Sequence, residues 1–324
     1  MTRNASFPLS RRALIAGSGV LLAAPPLLAG APATRRIEGR AFGTGWSVTL
    51  PDAAPVAGLR EAIDTLLAGI DRQMSPWRAD SDITALNLAP AGPRDVPDET
   101  AQVLAAALDV ARASGGYFDP TVGPLVARWG FGPIHDGDAR PNWRHLKVDG
   151  AAVVKTTPGT TADLCGIAKG HALDRIGALL AGRGFGDWLA DLGGELAASG
   201  RHPSDRVWRV AVESPAGPGA AEVLALRGGL SVATSGSRVN GYDLGGRRVG
   251  HVIDPTSGEP AAGGLAQVSV IAPRARDADA WATAILAAGA AQGAALARDR
   301  GLTALMLTDD GSRITTGDFA AHLA

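Results

Sequence analysis

DWLADLGGELAASG, Asp187–Gly200, reads as strand, and it heads a series of such runs. RVWRVAVES (206–214), EVLALRGGLSVATSG (222–236), GHVIDP (250–255) and LAQVSVIA (265–272) follow, and LTALMLT (302–308) is expected to be the last strand. These are short apolar runs, each bounded by turn residues. Helical patterns interrupt them without a regular strand–helix alternation. ADLCGIAKGHALDRIGALLAGRG (162–184) reads as a strand ending at Asp163, a small-residue turn, and a helix starting near Gly166–Lys169. DADAWATAILAAG (277–289) reads as a buried helix with Asp277 as a candidate N-cap. Upstream, RIEGRAFGTGWSVTL (36–50) has the content of a hairpin turning at Gly43–Gly45. Val56, Leu59, Ile63, Leu66, Leu67, Ile70 and Met74 keep a helical period. MSPWRADSDITALN (74–87) reads as a loop entering a short helix, Pro97–Ala113 as an amphipathic helix, and RHLKVDGAAVVKTT (144–157) as a strand pair. Strands in runs, with helices between them, predict an α+β fold rather than a doubly wound sheet.

The 324 residues, 46% of them hydrophobic, suffice for a large core. A formal net charge of -1, with no basic cluster past the N-terminus, argues against a nucleic-acid partner. One cysteine, Cys165, excludes an internal disulfide and any multi-cysteine metal site. The first 33 residues read as an export signal: SRRALIAG (10–17) carries paired arginines, an apolar run follows, and Ala31–Ala33 offers small residues for cleavage. An ordinary secretory signal with a chance arginine pair is the alternative. No cysteine stands at the cleavage point, so a lipoprotein is not expected. The remainder, 34–324, is expected to be one domain, exported or periplasmic, and soluble after cleavage.

Three places carry candidate chemistry. Asp279 and Thr283 sit four residues apart, hence on one helical face. Alone they fit a first-turn acid and a hydroxyl bonded to the preceding turn; together they also suit a hard cation such as Mg²⁺. Spacing does not decide between the two. Lys169 at a helix start opposes the dipole, which makes sense beside a bound anion, although a solvated lysine is the plainer reading. His251 precedes an Asp-Pro-Thr-Ser-Gly turn and is either a base near neutral pH or the residue that locks the turn. No Walker pattern, HExxH or serine–histidine–acid arrangement is present.

Eight segments in order resemble the ApbE family of FAD:protein FMN transferases. They are FGTGWSV, MSPWRADSDITALN, GGYFDPTVGPL, DLCGIAKGHALD, LADLGGELAASG, VATSG, HVIDPTSGEP and DADAWATAILAAG. The resemblance implies a single T-fold-like α+β domain of two packed lobes, with mixed sheets, packed helices and the flavin between the lobes. It implies Mg²⁺-dependent transfer of the FMN half of FAD to a threonine of an exported or membrane acceptor protein, releasing AMP. Family acceptors present that threonine at the end of a short small-residue motif. By the same resemblance Asp279, Thr283 and the Gly166 carbonyl would hold the metal, and His251 would be the base. Phe42, Trp77, Tyr117, Phe118, Asp119, Asp163, Lys169 and Ser235 would contact FAD. The family more often has methionine at Phe42, tyrosine at Trp77 and a small residue at Cys165. Two further readings stay open: an exported FAD pyrophosphatase using water as acceptor, and a flavin carrier without chemistry. A solute-binding protein would fit the size and export but explains none of the motifs.

Overall fold

The computed structural model describes residues 33–237 and 241–324, so all but the last residue of the expected export signal lies outside the described residues. The first expected hairpin forms as β1 (Thr34–Ala41) and β2 (Thr44–Pro51). Its turn falls on Phe42-Gly43, one residue early, with both at positive φ (52° and 74°). That is what a two-residue turn matching strand twist requires. The helical stripe folds as α1 (Leu59–Met74), burying Leu59, Ile63, Leu67, Ile70 and Met74, while Val56 lies just ahead of it. The short helix is α2 (Asp82–Leu88), capped by Ser81, whose hydroxyl accepts from the Thr84 amide at 3.1 Å. Next come β3 (Gly92–Asp95), α3 (Asp98–Ala113), α4 (Gly123–Arg128), and the hairpin β4 (Leu146–Asp149) and β5 (Ala152–Lys155). β3, β5 and β4 make a three-stranded sheet.

No strand ends at Asp163. Residues 160–164 are irregular and buried. Side chains and a loop carbonyl satisfy their backbone instead of a ladder: the Asn87 amide pairs both ways with Ala162 (2.7 and 2.9 Å), and the Asp163 N–H donates to Pro120 O (2.7 Å). The helix that follows is α5 (Ala168–Gly182). Strands then dominate as expected: β6 (Trp188–Leu192), β7 (Glu195–Ser199), β8 (Trp208–Glu213), β9 (Ala220–Leu226), β10 (Ser231–Gly236), β11 (Gly241–Leu244), β12 (Arg247–Gly250), β13 (Ile253–Asp254), β14 (Glu259–Pro260) and β15 (Leu265–Ala272). α6 spans Ala275–Asp299 and β16 spans Thr303–Thr308. β16 is not the last strand: β17 (Arg313–Thr316) pairs with it.

Eight strands form the main sheet in the order β1-β2-β6-β7-β10-β15-β16-β17, and every pairing in it is antiparallel. Alternation splits its two faces. Trp46, Val48, Ala190, Leu192 and Ala197 face the core shared with α1, α3 and α5. Ala233, Val268, Val270, Ala304 and Met306 pack on α6. The opposite face contributes Ala198, Val232, Ile271, Leu305 and Leu307, covered by the β8–β9 ribbon. α6 is long and apolar enough to cross a membrane by length and composition, but its apolar residues are the inner layer of this sandwich.

α5 and α6 meet backbone to backbone. A Cβ added at Gly170 would stand 2.4 Å from the Ala275 carbonyl oxygen. The Asp174 carboxylate accepts from the Ala275 and Arg276 amides (2.7 and 3.1 Å) and so caps α6 from the neighbouring helix. Asp277, the sequence candidate for that cap, lies inside the first turn and pairs with Arg274. Gly170→Ala is expected to overpack this crossing and cost about 1–3 kcal/mol, read as a lower urea midpoint. An unchanged midpoint would show that the helices separate freely.

Candidate active site

Where the α5 N-terminus, α6, the β6–β7 turn and the end of β10 meet, they wall a cavity of about 1190 Å³. Asp279 and Thr283 both face it from α6, while the Ala282, Ile285 and Leu286 side chains anchor that helix to the sheet. The Gly170 amide donates to Asp279 Oδ2 at 3.0 Å, so the start of α5 orients the carboxylate. Thr283 Oγ1 lies 3.2 Å from Ser235 Oγ, at the end of β10. A Cβ on Gly166 would come within 3.4 Å of Thr283 Oγ1, which puts the Gly166 backbone against that hydroxyl. Asp279, Thr283 and Gly166, separated by more than a hundred residues of chain, share one wall.

The same wall holds a residue that sequence reasoning missed. Gly193 and Gly194, at φ 64° and 93°, turn β6 into β7 and deliver Glu195 to a position only 2% exposed. There it pairs with Lys169. The signal was present as one acid in an otherwise small and apolar strand, directly after two glycines. Burial, and then the charge of nearby Asp279, pushes the Glu195 carboxyl up to about 8. Burial likewise raises Asp279, against the pull of Lys169. Lys169 is raised despite burial because Glu195 and then Asp279 hold its proton. Its partial exposure is to the cavity. Two buried carboxyls thus share one ammonium, and without a further cation burial favours keeping a proton between them; a cation beside them would favour full ionisation.

Cys165 is exposed into the cavity, but enclosure and then Asp163 push its thiol well up, so it is not a poised nucleophile. Asp163 Oδ1 accepts from the Cys165 amide at 2.9 Å and shapes the turn before α5. Tyr117, Phe118 and Asp119 also line the cavity. Asp119 Oδ1 accepts from the Thr121 amide and hydroxyl (2.7 and 2.6 Å) and Oδ2 from the Trp143 amide (3.0 Å), so its carboxylate is used within its own loop. Burial raises its pKa.

His251 lines the cavity beside these groups. Its ring stands edge-on to Phe131 (6.3 Å, 67°), which stacks on Tyr242 (5.3 Å, 22°). In the turn that follows, Asp254 accepts from Thr256 N and Oγ1 and from Ser257 Oγ at 2.7–2.9 Å. Phe42 and Trp77 are the two expected FAD contacts that do not reach the cavity wall: Phe42 packs against the main core at its hairpin turn, and Trp77 is 66% exposed.

The donor set fits a hard divalent ion. The Asp279 carboxylate and the Thr283 hydroxyl are oxygen donors facing the cavity, the Gly166 backbone lies against Thr283, and a second buried carboxyl, Glu195, stands near. Among the described residues no cluster of three His, Cys, Asp or Glu exists, so an ion here would complete its shell with water or substrate phosphate, as Mg²⁺ commonly does. Asn87 braces this wall from behind, and its own carbonyl accepts from the buried Lys155 ammonium at 3.0 Å. Asn87→Ala would leave the Ala162 amide and carbonyl unpaired, at about 1–3 kcal/mol for each group. Chemical denaturation should register that loss, and an unaltered midpoint would show that water replaces the side chain.

A family model described as the ApbE family matches residues 42–306. FAD:protein FMN transferase of Salmonella typhimurium is 33% identical over 313 residues, covering 90% of this chain and 89% of that protein. The Escherichia coli K12 protein of the same name is 33% identical over 300 residues, with 86% of each covered. Among solved structures, the flavin transferase ApbE of Vibrio cholerae superposes with a TM-score of 0.80 at 29% identity, covering 90% of this chain and 99% of that one. The Pseudomonas stutzeri flavinyl transferase ApbE, in its apo form, gives 0.81 at 31% identity, covering 90% and 97%.

Proposed function

This chain belongs to the ApbE family, and from that membership we propose that it is a Mg²⁺-dependent FAD:protein FMN transferase acting on a threonine of an exported acceptor. The observation that carries the proposal is the shared cavity wall: Asp279, Thr283, Gly166, Lys169 and His251 face one space. A carrier that only held flavin would need no base beside an oxygen cage.

In this reading the threonine oxygen attacks the FMN-side phosphorus of the FAD diphosphate. A new P–O bond forms to the acceptor, and the P–O bond to the AMP phosphate breaks. His251 takes the hydroxyl proton, and AMP leaves with the bridging oxygen. Lys169, kept charged by Glu195, binds the anionic diphosphate at the α5 N-terminus, where helix amides also favour anions. Asp279, Thr283 and the Gly166 carbonyl would hold Mg²⁺, which when bound withdraws charge from the phosphorus and stabilises the leaving phosphate. The paired arginines of SRRALIAG support export, with the enzyme working outside the cytoplasm.

The deciding experiment mixes residues 34–324 with FAD, Mg²⁺ and a threonine-bearing acceptor protein, then looks for a flavin-fluorescent band on a denaturing gel. Free FMN and AMP with no labelled acceptor would instead establish a pyrophosphatase.

A further inference from the structure

At about 1190 Å³ the cavity exceeds the roughly 300–1,000 Å³ usual for a small-ligand site. It extends from the Asp279 wall past Ser47 and Asp191 of the main sheet and reaches β8, where all of Arg209 to Glu213 line it. Successive strand side chains point to opposite faces. Five consecutive lining residues therefore mean that β8 offers the cavity its backbone edge.

The ladder shows which groups lie on that edge. The Ala324 amide donates to Val223 O, so Val223 turns its peptide groups away from β8. Its cross-strand partner Ala211 must then turn its own groups away from β9. Val210 and Val212, opposite Leu224 and Glu222, make the β8–β9 bonds, and their side chains are buried. Arg209 and Ala211 are exposed, and their N–H and C=O groups have no partner among the described residues. The edge also ends at the chemistry. Gln267 Nε2 donates to Glu213 O at 2.9 Å, Gln267 sits opposite Gly236, and the preceding Ser235 touches Thr283.

We propose that the outer edge of β8 docks the acceptor polypeptide by strand addition, delivering its threonine to the wall that holds Thr283 and His251. This rests on the transferase reading, because the second substrate is then a polypeptide. Alternate unpaired N–H and C=O groups spaced two residues apart match the ladder that an extended chain brings. The edge is short and carries exposed Arg209, features that limit indiscriminate pairing.

The test uses a fluorescein-labelled ten-residue peptide with a central threonine among small residues, titrated by anisotropy without FAD, so that binding is read apart from transfer. Ala211→Pro removes an outer-edge N–H and no β8–β9 bond, and proline is tolerated at such edge positions. Peptide affinity is expected to fall about two- to tenfold, the effect of losing one backbone hydrogen bond, with FAD affinity unchanged. Should the variant misfold, the wild type titrated with peptides N-methylated at alternate amides decides: one register of methylation should weaken binding and the other should not. Equal binding by all variants and peptides, no peptide binding by the wild type, or a parallel loss of FAD affinity in Ala211→Pro each overturns the proposal. A peptide that docks as expected but never receives FMN would sink the transferase reading and leave the docking edge standing.

Discussion

Asp279→Ala is expected to lose Mg²⁺ dependence and transfer together, with kcat/KM falling about 10²–10⁴-fold, the equivalent of several kcal/mol of lost charge stabilisation. The carboxylate is the only charged member of the oxygen set, and no neighbour can replace it: Glu195 is tied to Lys169. Asp279 also accepts from the Gly170 amide, so the alanine variant loses a buried hydrogen bond. Asp279→Asn keeps an acceptor for that amide and separates the two effects. It should fold with a near wild-type melting curve yet bind Mn²⁺, read by electron paramagnetic resonance, as poorly as the alanine variant. Unchanged metal affinity in Asp279→Asn would refute the ligand assignment.

His251→Ala should bind FAD normally and transfer FMN about 10²–10⁴-fold more slowly, the range a positioned general base contributes. The loss belongs in kcat, because in the proposed reaction Lys169 and the metal-holding oxygens, on other elements, would hold the diphosphate. Added imidazole, small enough to enter the vacated space beside Phe131, should restore part of the rate. A variant that flavinylates at the wild-type rate would remove His251 from the reaction. One that loses FAD affinity instead would make it a binding residue.

Much of this site was legible along the chain wherever a local rule governed it. The i, i+4 spacing of Asp279 and Thr283 put both on one face of α6, because helical geometry is set by neighbours in sequence. The β1–β2 hairpin was legible too, within one residue of its turn. Where local rules compete with distant partners, the reading failed. Residues 160–164 looked like a strand end, but their backbone pairs with Asn87, 75 positions upstream of Ala162. Asp277 looked like the cap of α6, yet Asp174, from another helix, does that work. Phe42 and Trp77 carry the family resemblance but lie off the cavity wall.

By itself the sequence determined the α+β class, the helix that presents two oxygens, and the turns rich in glycine and aspartate. Those depend on backbone geometry and side-chain periodicity over a few residues. Only the tertiary structure decided that Glu195 guards Lys169, that Asp254 ties the turn after His251, and that β8 leaves an edge open beside the cavity. Each of these follows from which strands and helices become neighbours across long stretches of chain. Sheet order and packing set that adjacency, and no local pattern encodes it.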